Sequence, residues 1–215
     1  MKYHDYRGAL DELSASEGVF TAAQAMRLGI PRQVLSRAFS EGHVDRLLHG
    51  AYRVASTPPS ETDELSAVWK LTAPTMFTGE RMTSFDGIVI GGSSAASLLN
   101  LGDLWLSPYR LYAPSRINSR LSCVRFGVRC IEERDVTWLH GLPVTRPERT
   151  LVDLCLDGED PSLVEDAFSD ARAHGIDDSR LYELIALEGK SQRTRKLLGV
   201  LREHFGEGER IVHTS

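Results

Sequence analysis

Residues 18–54 constrain this chain more than any other stretch, because they predict a short helix, a tight turn, a second helix and a β-hairpin. Thr21 can cap the first helix, while Gln24, three residues later, can reach back to the backbone N–H of the cap. Gly29 suits the left-handed end of that helix, and Pro31 suits the first turn of the next one. The expected arrangement is a helix-turn-helix.

The second helix is predicted to carry a polar face of unusual composition. Leu35, Ala38 and Phe39 recur at helical spacing and are expected to pack inward. The opposite face then carries no acid and consists of Arg32, Gln33, Ser36, Arg37 and Ser40. Arginine pairs with guanine edges, glutamine with adenine, and serine with phosphate or base. This face is typical of a helix that reads the major groove of DNA.

Two short strands, residues 44–47 and 51–54, are predicted to follow around a turn at residues 48–50. A basic hairpin after a recognition helix is the wing of a winged helix-turn-helix. The candidate DNA-contacting residues are Thr21, Gln24, Arg32, Gln33, Ser36, Arg37, Arg46, His49 and Arg53. Helix-turn-helix shapes also occur in proteins that bind no DNA, but the polar helix and the basic wing favour DNA binding.

The net charge of −5 is unevenly distributed along the chain. Residues 1–54 hold 7 Lys and Arg against 6 Asp and Glu, a balance of +1, which leaves 18 against 24, or −6, for residues 55–215. Exposed charges farther apart than about 10 Å are largely screened, so the local charge decides DNA binding. The acidic remainder is expected to face something other than DNA.

The predicted fold class is α+β with two domains. Residues 1–55 form the winged helix-turn-helix, and the Ser/Pro-rich residues 55–60 are expected to be the boundary. Residues 60–215 are predicted to form a mixed α/β domain with a small sheet followed by a helical C-terminal tail. Residues 74–86 remain ambiguous, because Pro74 and Gly79 interrupt a run that is otherwise compatible with a helix.

Composition excludes several classes of protein. No apolar run approaches the ~20 residues of a membrane span, and the N-terminus lacks the apolar core of a signal peptide, so a cytoplasmic protein is expected. Cys123, Cys130 and Cys155 show no C-x-x-C spacing, which indicates neither a disulfide framework nor a zinc site. They are interpreted as small core residues.

Residues 88–94 resemble the strand, Gly-Ser turn and helix of nucleotidyltransferases. Those enzymes also need two metal-binding carboxylates at alternate strand positions, and in the candidate Asp103-Leu104-Trp105 the second carboxylate is replaced by Trp. Arg149 and Asp153 could form a catalytic pair, but their spacing favours a structural i, i+4 ion pair. No enzymatic activity, metal or cofactor is therefore predicted.

A basic run near the C-terminus has two open interpretations. It comprises Lys190, Arg193, Arg195 and Lys196. These cations either form an ordinary solvated helix face or a second patch that contacts DNA phosphates or a partner.

The chain resembles AbiEi-type antitoxins of type IV toxin–antitoxin systems over about residues 5–200. The resemblance is carried by GVFT at residues 18–21, GAYR at 50–53, SSAA at 93–96, GLPVT at 141–145 and ERTLVD at 148–153, in this order. It implies a repressor that binds inverted repeats in its own promoter, and a second domain that neutralises a co-expressed nucleotidyltransferase toxin. The alternative is a stand-alone winged-helix regulator whose second domain binds a ligand or mediates oligomerisation.

Overall fold

The computed structural model describes residues 6–201 as a mixed α+β chain that forms two compact units. The first unit runs up to Asp86 and includes His140–Leu142, and the second comprises Gly87–Leu139 and resumes at Pro143. Each unit has its own sheet and its own apolar core. The predicted α+β class is confirmed.

The first unit combines a three-stranded antiparallel sheet with five helices in its described residues. In chain order the elements are α1 (Arg7–Glu17), β1 (Val19–Thr21), α2 (Ala22–Arg27), α3 (Arg32–Ser40), β2 (Val44–Leu48), β3 (Ala51–Val54), α4 (Asp63–Thr72) and α5 (Thr78–Thr83). The sheet order is β1-β3-β2, with Val19 opposite Arg53 and Val44 opposite Val54. The wing hairpin formed by β2 and β3 is as predicted, whereas β1 was not predicted because it is only three residues long.

The boundary expected at residues 55–60 does not coincide with the edge of the first unit, which extends to Asp86. Helix α4 packs on the small sheet, where Ala67 joins Val19 and Ala51 in a buried cluster. A polar cluster adds to this packing, because Lys70 on α4 forms a buried ion pair with Glu17 on α1. Both the apolar and the polar contacts make α4 part of the winged-helix unit.

The second unit surrounds a five-stranded sheet with helices. Its elements are β4 (Val89–Ile90), α6 (Gly92–Leu98), β5 (Tyr109–Ala113), β6 (Val124–Val128), a 3₁₀ turn (Glu133–Asp135), β7 (Val136–Leu139), β8 (Leu142–Thr145), α7 (Pro147–Asp157), α8 (Pro161–His174), α9 (Asp178–Glu188) and α10 (Gln192–Leu197). The strand order is β6-β5-β4-β8-β7, with β4 antiparallel to β5 and parallel to β8. Helix α7 supplies Leu151, Val152 and Leu154 to an apolar core shared with α8 and α9.

The ring of Tyr112 on β5 lies so close to the backbone on either side that two positions require glycine. They are Gly91, just after β4, and Gly127 on β6. A Cβ atom on Gly91 would lie 2.0 Å from Tyr112 Cε2, and one on Gly127 would lie 2.9 Å from Cδ1. Real Cβ atoms essentially never approach other atoms that closely. Packing against Tyr112 therefore explains the glycine at position 91. This residue belongs to the Gly-Ser segment that resembles the nucleotide-binding turn of nucleotidyltransferases.

The last helix of the predicted C-terminal tail was expected over residues 192–204. The structure places α10 at Gln192–Leu197 and buries Leu198 and Leu201, while residues 202–204 lie outside the described part of the chain. Among residues 6–201, no helix is long and apolar enough to cross a membrane.

Candidate nucleic-acid interface

Helix α3 presents the predicted polar face to solvent. Its buried residues are Val34, Leu35 and Ala38, so the helix packs on one side only. The side chains of Arg32, Gln33, Ser36, Arg37 and Ser40 are all exposed. The cations belong to opposite ends of the nine-residue helix. The face can thus offer two guanidinium groups, an amide and two hydroxyls to a groove.

Phe39 was expected in the core and is instead 42% exposed. The buried stripe uses Val34 where the sequence pattern suggested Phe39, since Val34 and Ala38 are also one helical turn apart. The Phe39 ring supports the guanidinium of Arg46, whose Cζ lies 4.8 Å from the ring centroid. This cation–π contact holds a wing arginine beside α3.

The exposed wing residues are Arg46 and His49. Arg46 lies on β2, and His49 follows at the turn, where Gly50 has a φ of +91°. Because β2 packs beside α3 through the Phe39–Arg46 contact, the wing cation and the helix face belong to one surface. The exposed DNA-contacting candidates of α3 and the wing, Arg32, Gln33, Ser36, Arg37, Arg46 and His49, are hereafter called the α3–wing surface.

Thr21 and Gln24 form the predicted capping box but are buried. The backbone N–H of Gln24 donates to Thr21 Oγ1 at 3.0 Å, and the N–H of Thr21 donates to Gln24 Oε1 at 2.8 Å. Thr21 Oγ1 also donates to the carbonyl of Pro74, and Gln24 Nε2 donates to that of Met76. These bonds leave neither side chain available to DNA, so both residues are removed from the candidate set.

Arg53 is also removed from the candidate set, because it is only 8% exposed. Its Nη1 donates to Asp63 Oδ2 and its Nη2 to Asp45 Oδ2, each at 2.7 Å. The hydrogen bond to Asp45, followed by that to Asp63, raises the pKa of Arg53 against the opposing effect of burial. Arg53 therefore joins both wing strands to the start of α4 and is a structural residue.

Glu41 lies next to Arg37 of the α3–wing surface. Glu41 is 3.2 Å from Arg37 Nε and 3.6 Å from His43 Nε2. The Arg37 and Glu41 side chains are 53% and 44% exposed, and ion pairs this exposed contribute less than about 1 kcal/mol. Breaking the ion pair with Glu41 in favour of a base edge therefore costs little.

The basic run of the second unit is exposed, as an interaction patch requires. Lys190, Arg193, Arg195 and Lys196 are all exposed, and Ser191 caps the helix by accepting the N–H of Thr194. Exposure is equally compatible with a solvated face. A role in binding DNA or a partner stays a prediction.

The Arg149–Asp153 pair is structural, as the sequence favoured. Arg149 Nε and Nη2 donate to Asp153 Oδ1 at 2.9 and 2.5 Å, and Arg129 Nη1 donates to the same oxygen at 2.8 Å. Asp153 is 0% exposed. This buried pairing joins α7 to the segment after β6 and explains why both residues occur in the interior.

A neighbouring network surrounds Asp157, the last residue of α7. Arg110 donates to it twice, at 2.6 and 2.7 Å, and the Tyr112 hydroxyl donates at 2.8 Å. Arg129 completes the network through Asp157 Oδ1. Burial raises the pKa of Tyr112, with nearby carboxylates acting in the same direction. The hydrogen bonds satisfy these groups internally, so they anchor the sheet to α7.

The cysteines are not all core residues. Cys155 is buried, Cys123 is half-buried and Cys130 is exposed. Burial raises the pKa of the Cys155 thiol to about 12, so it is protonated at neutral pH. Within residues 6–201, no group of three or more His, Cys, Asp and Glu side chains is arranged to hold a metal ion.

Sequence reasoning did not identify Phe39 as the exposed ring that contacts Arg46. It also did not identify Asp45 and Asp63 as the acids that pair with Arg53. For Phe39 helical spacing gave no clear signal, because Phe39 lies three residues from the exposed Ser36 and four residues from the buried Leu35. For Arg53 the available signal was the antiparallel register, which places Asp45 directly opposite on β2. That register would have suggested a cross-strand ion pair.

Comparison with known proteins supports the winged helix and the overall fold. The crystal structure of the RV2827C protein from Mycobacterium tuberculosis is similar, with a TM-score of 0.55 and 17% sequence identity. The similarity covers 91% of this chain and 76% of that chain, and at this identity it shows the fold alone. No protein in the curated comparison set matches.

A family model described as "Transcriptional regulator, AbiEi antitoxin" matches residues 9–55. This segment contains most of α1, the helix-turn-helix and the wing hairpin. The winged helix of this chain is therefore similar to the transcriptional-regulator segment of AbiEi antitoxins.

Proposed function

We propose that this protein is an antitoxin that represses its own operon through the α3–wing surface and neutralises a nucleotidyltransferase toxin through its second unit. The observation that carries the DNA-binding half is the exposed set Arg32, Gln33, Ser36 and Arg37 on α3, with Arg46 beside it. The family match over residues 9–55 supports the same assignment.

In the proposed complex α3 lies in the major groove. Arg32 and Arg37 pair with guanine edges, and Gln33 pairs with adenine or a phosphate. Arg46 and His49 approach phosphates at the groove's edge, where Phe39 keeps Arg46 close to α3. The target is an inverted repeat in the promoter, and two copies of the winged helix occupy its half-sites.

The DNA-binding half is tested with a fragment of the protein's own promoter and an unrelated fragment of equal length. Arg37→Ala is expected to weaken the free energy of promoter binding by about 1–3 kcal/mol and to relax specificity at one base pair. Arg46→Ala is expected to weaken binding to both fragments alike. It should also reduce by about 1 the slope of the logarithm of the binding constant against the logarithm of salt concentration.

Arg7→Ala provides a matched control, because Arg7 is an exposed arginine on α1 in the same unit. It should bind the promoter like the wild type. Wild-type promoter affinity in the Arg32→Ala/Arg37→Ala double variant would refute the assignment of the recognition helix.

The toxin-neutralising half rests on the family resemblance and on the excess of acids in residues 55–215. A truncation at residue 55 or 60 would cut through the first unit, which extends to Asp86, and would expose its buried clusters. The full-length Arg32→Ala/Arg37→Ala variant separates the two activities without that damage. It should relieve the growth arrest caused by the adjacent toxin while failing to bind the promoter, and persistent arrest would contradict the proposal.

A further inference from the structure

The charge of the second unit is unevenly distributed along the chain. Between Asp103 and Glu132 the sequence contains five arginines and no acid, although residues 87–215 as a whole hold more acids than bases. Two of the five, Arg110 and Arg129, pair with carboxylates of α7. The other three are exposed and form no ion pair with a carboxylate of residues 6–201: Arg116, Arg120 and Arg125. This segment therefore carries uncompensated positive charge.

A cleft of about 430 Å³ lies between β6 and the loop that precedes it. It is lined by loop residues 116–119 and 121 and by Val124–Val128, and it is hereafter called the β6 cleft. Ile117, Leu121 and Phe126 are half-buried there, so the cleft offers apolar as well as polar surface. Sites for small ligands have volumes of about 300–1,000 Å³, so the β6 cleft has room for a nucleotide.

Two of the three uncompensated arginines line the β6 cleft. Arg116 Nε donates to Asn118 Oδ1 at 3.1 Å, and Arg125 Nη1 donates to two backbone carbonyls at 3.0 Å. Because a guanidinium has five N–H donors, these contacts leave several donors for an anion. Arg120 supplies a third cation in the same loop. The cleft is therefore suited to a ligand with more than one negative charge.

Strand β6 also offers backbone groups, because it lies at the edge of the sheet. It pairs in parallel with β5, where Phe126 lies opposite Leu111. An edge strand leaves some of its backbone N–H and C=O groups without a strand partner. The β6 cleft thus combines guanidinium groups, backbone hydrogen-bonding groups and an aromatic residue.

We propose that the β6 cleft binds single-stranded nucleic acid, with the three arginines on phosphates and a base against Phe126. Proteins that bind single strands combine a positively charged groove with aromatic side chains on which bases stack. A duplex keeps its bases paired and stacked, and it is read by elements that protrude into its grooves, as α3 is proposed to do. An unstacked base, by contrast, can enter a concave cleft. This inference goes beyond the proposed function and gives the second unit a ligand of its own.

The test titrates the full-length protein into labelled RNA and DNA strands of one sequence and about ten nucleotides, followed by fluorescence anisotropy. Arg116→Ala/Arg125→Ala should weaken binding at least about tenfold. It should also lower the logarithmic salt slope by about 1.4, since each phosphate contact on a single strand contributes about 0.7. Phe126→Leu should weaken binding about tenfold, because it keeps an apolar side chain but removes the ring on which a base stacks. The more tightly bound strand identifies the preferred sugar.

Arg193→Ala/Arg195→Ala is the charge-matched control. Both arginines are exposed on α10 of the same unit and lie outside the β6 cleft. Affinity of this variant for the single strands should stay within about threefold of the wild type. Thermal unfolding and promoter affinity of the cleft variants should be unchanged, which verifies that they are folded.

Three results would overturn the proposal. Equal losses of single-strand affinity in the cleft and control variants would mean that the attraction is diffuse. Losses of promoter affinity as large as the losses of single-strand affinity in folded cleft variants would assign the cleft to duplex DNA. Displacement of the strand by a polyglutamate peptide of equal charge would mean that the cleft accepts any polyanion. None of these results depends on the α3–wing surface, whose failure would appear as absence of promoter binding by the wild type.

Discussion

Replacing Arg53 by methionine tests whether this wing arginine stabilises the fold or contacts DNA. Arg53→Met keeps most of the apolar stem but removes the hydrogen bonds to Asp45 and Asp63. The Asp45 side chain is 48% exposed, so its pairing contributes about 0.5–1 kcal/mol. The Asp63 side chain is 18% exposed, and a charge-assisted bond there contributes about 1.5–3 kcal/mol. The free energy of unfolding should therefore fall by about 2–4 kcal/mol.

The assay combines urea denaturation, followed by circular dichroism, with promoter titrations over a range of salt concentrations. Arg53→Met should unfold at lower urea concentration and still show the wild-type salt slope where it is folded. Arg46→Met is the matched control on the neighbouring strand, and it should show the reverse pattern. Its stability should change by less than about 0.5 kcal/mol, while its salt slope decreases by about 1.

The reasoning would be refuted if Arg53→Met had wild-type stability and a salt slope reduced by about 1. That outcome would mean that the guanidinium of Arg53 leaves its two carboxylates to contact phosphate.

Three further predictions concern stability. Lys70→Met should lower the unfolding free energy by about 3–5 kcal/mol because it leaves Glu17 buried without its cation, and adding Glu17→Gln should recover most of the loss in a double-mutant cycle. The hydrogen bond from Arg27 lowers the pKa of Glu80 from 4.5 to about 2, so its stabilisation is complete above pH 4.5 and is lost as the pH falls toward 2. The stability difference between the wild type and Glu80→Gln should vanish over that range in an acid titration, and a difference independent of pH would contradict this assignment. Gly91→Ala should cost at least about 3 kcal/mol in thermal unfolding because its Cβ would meet an aromatic ring, whereas Gly199→Ala, with open space around its Cβ, should be neutral or slightly stabilising.

The winged helix could be predicted from sequence because its determinants are local. The Thr21–Gln24 box, the turn at Gly29 and the hairpin at Gly50 each depend on residues a few positions apart. Each predicted element was therefore found within a few residues of its expected position. The α+β class of the second unit followed from the same kind of local periodicity.

The individual side-chain roles that were wrong depend on long-range contacts. Thr21 and Gln24 were interpreted as DNA contacts, but their side chains donate hydrogen bonds to the carbonyls of Pro74 and Met76 in the segment after α4. Arg53 was interpreted as a DNA contact because it belongs to the basic wing, but Asp63, ten residues later on α4, binds its guanidinium. Helical spacing alone could not decide whether Val34 or Phe39 completes the buried stripe of α3.

The clamp that Arg53 forms on Asp45 and Asp63 also has a thermodynamic consequence for operator binding. Because the wing is already held to the start of α4, its strands need not fold when DNA arrives. Binding should then show a modest heat-capacity change that reflects only the surface buried against DNA. Loosening the clamp, as in Arg53→Met, would couple ordering of the wing to association and make this change more negative.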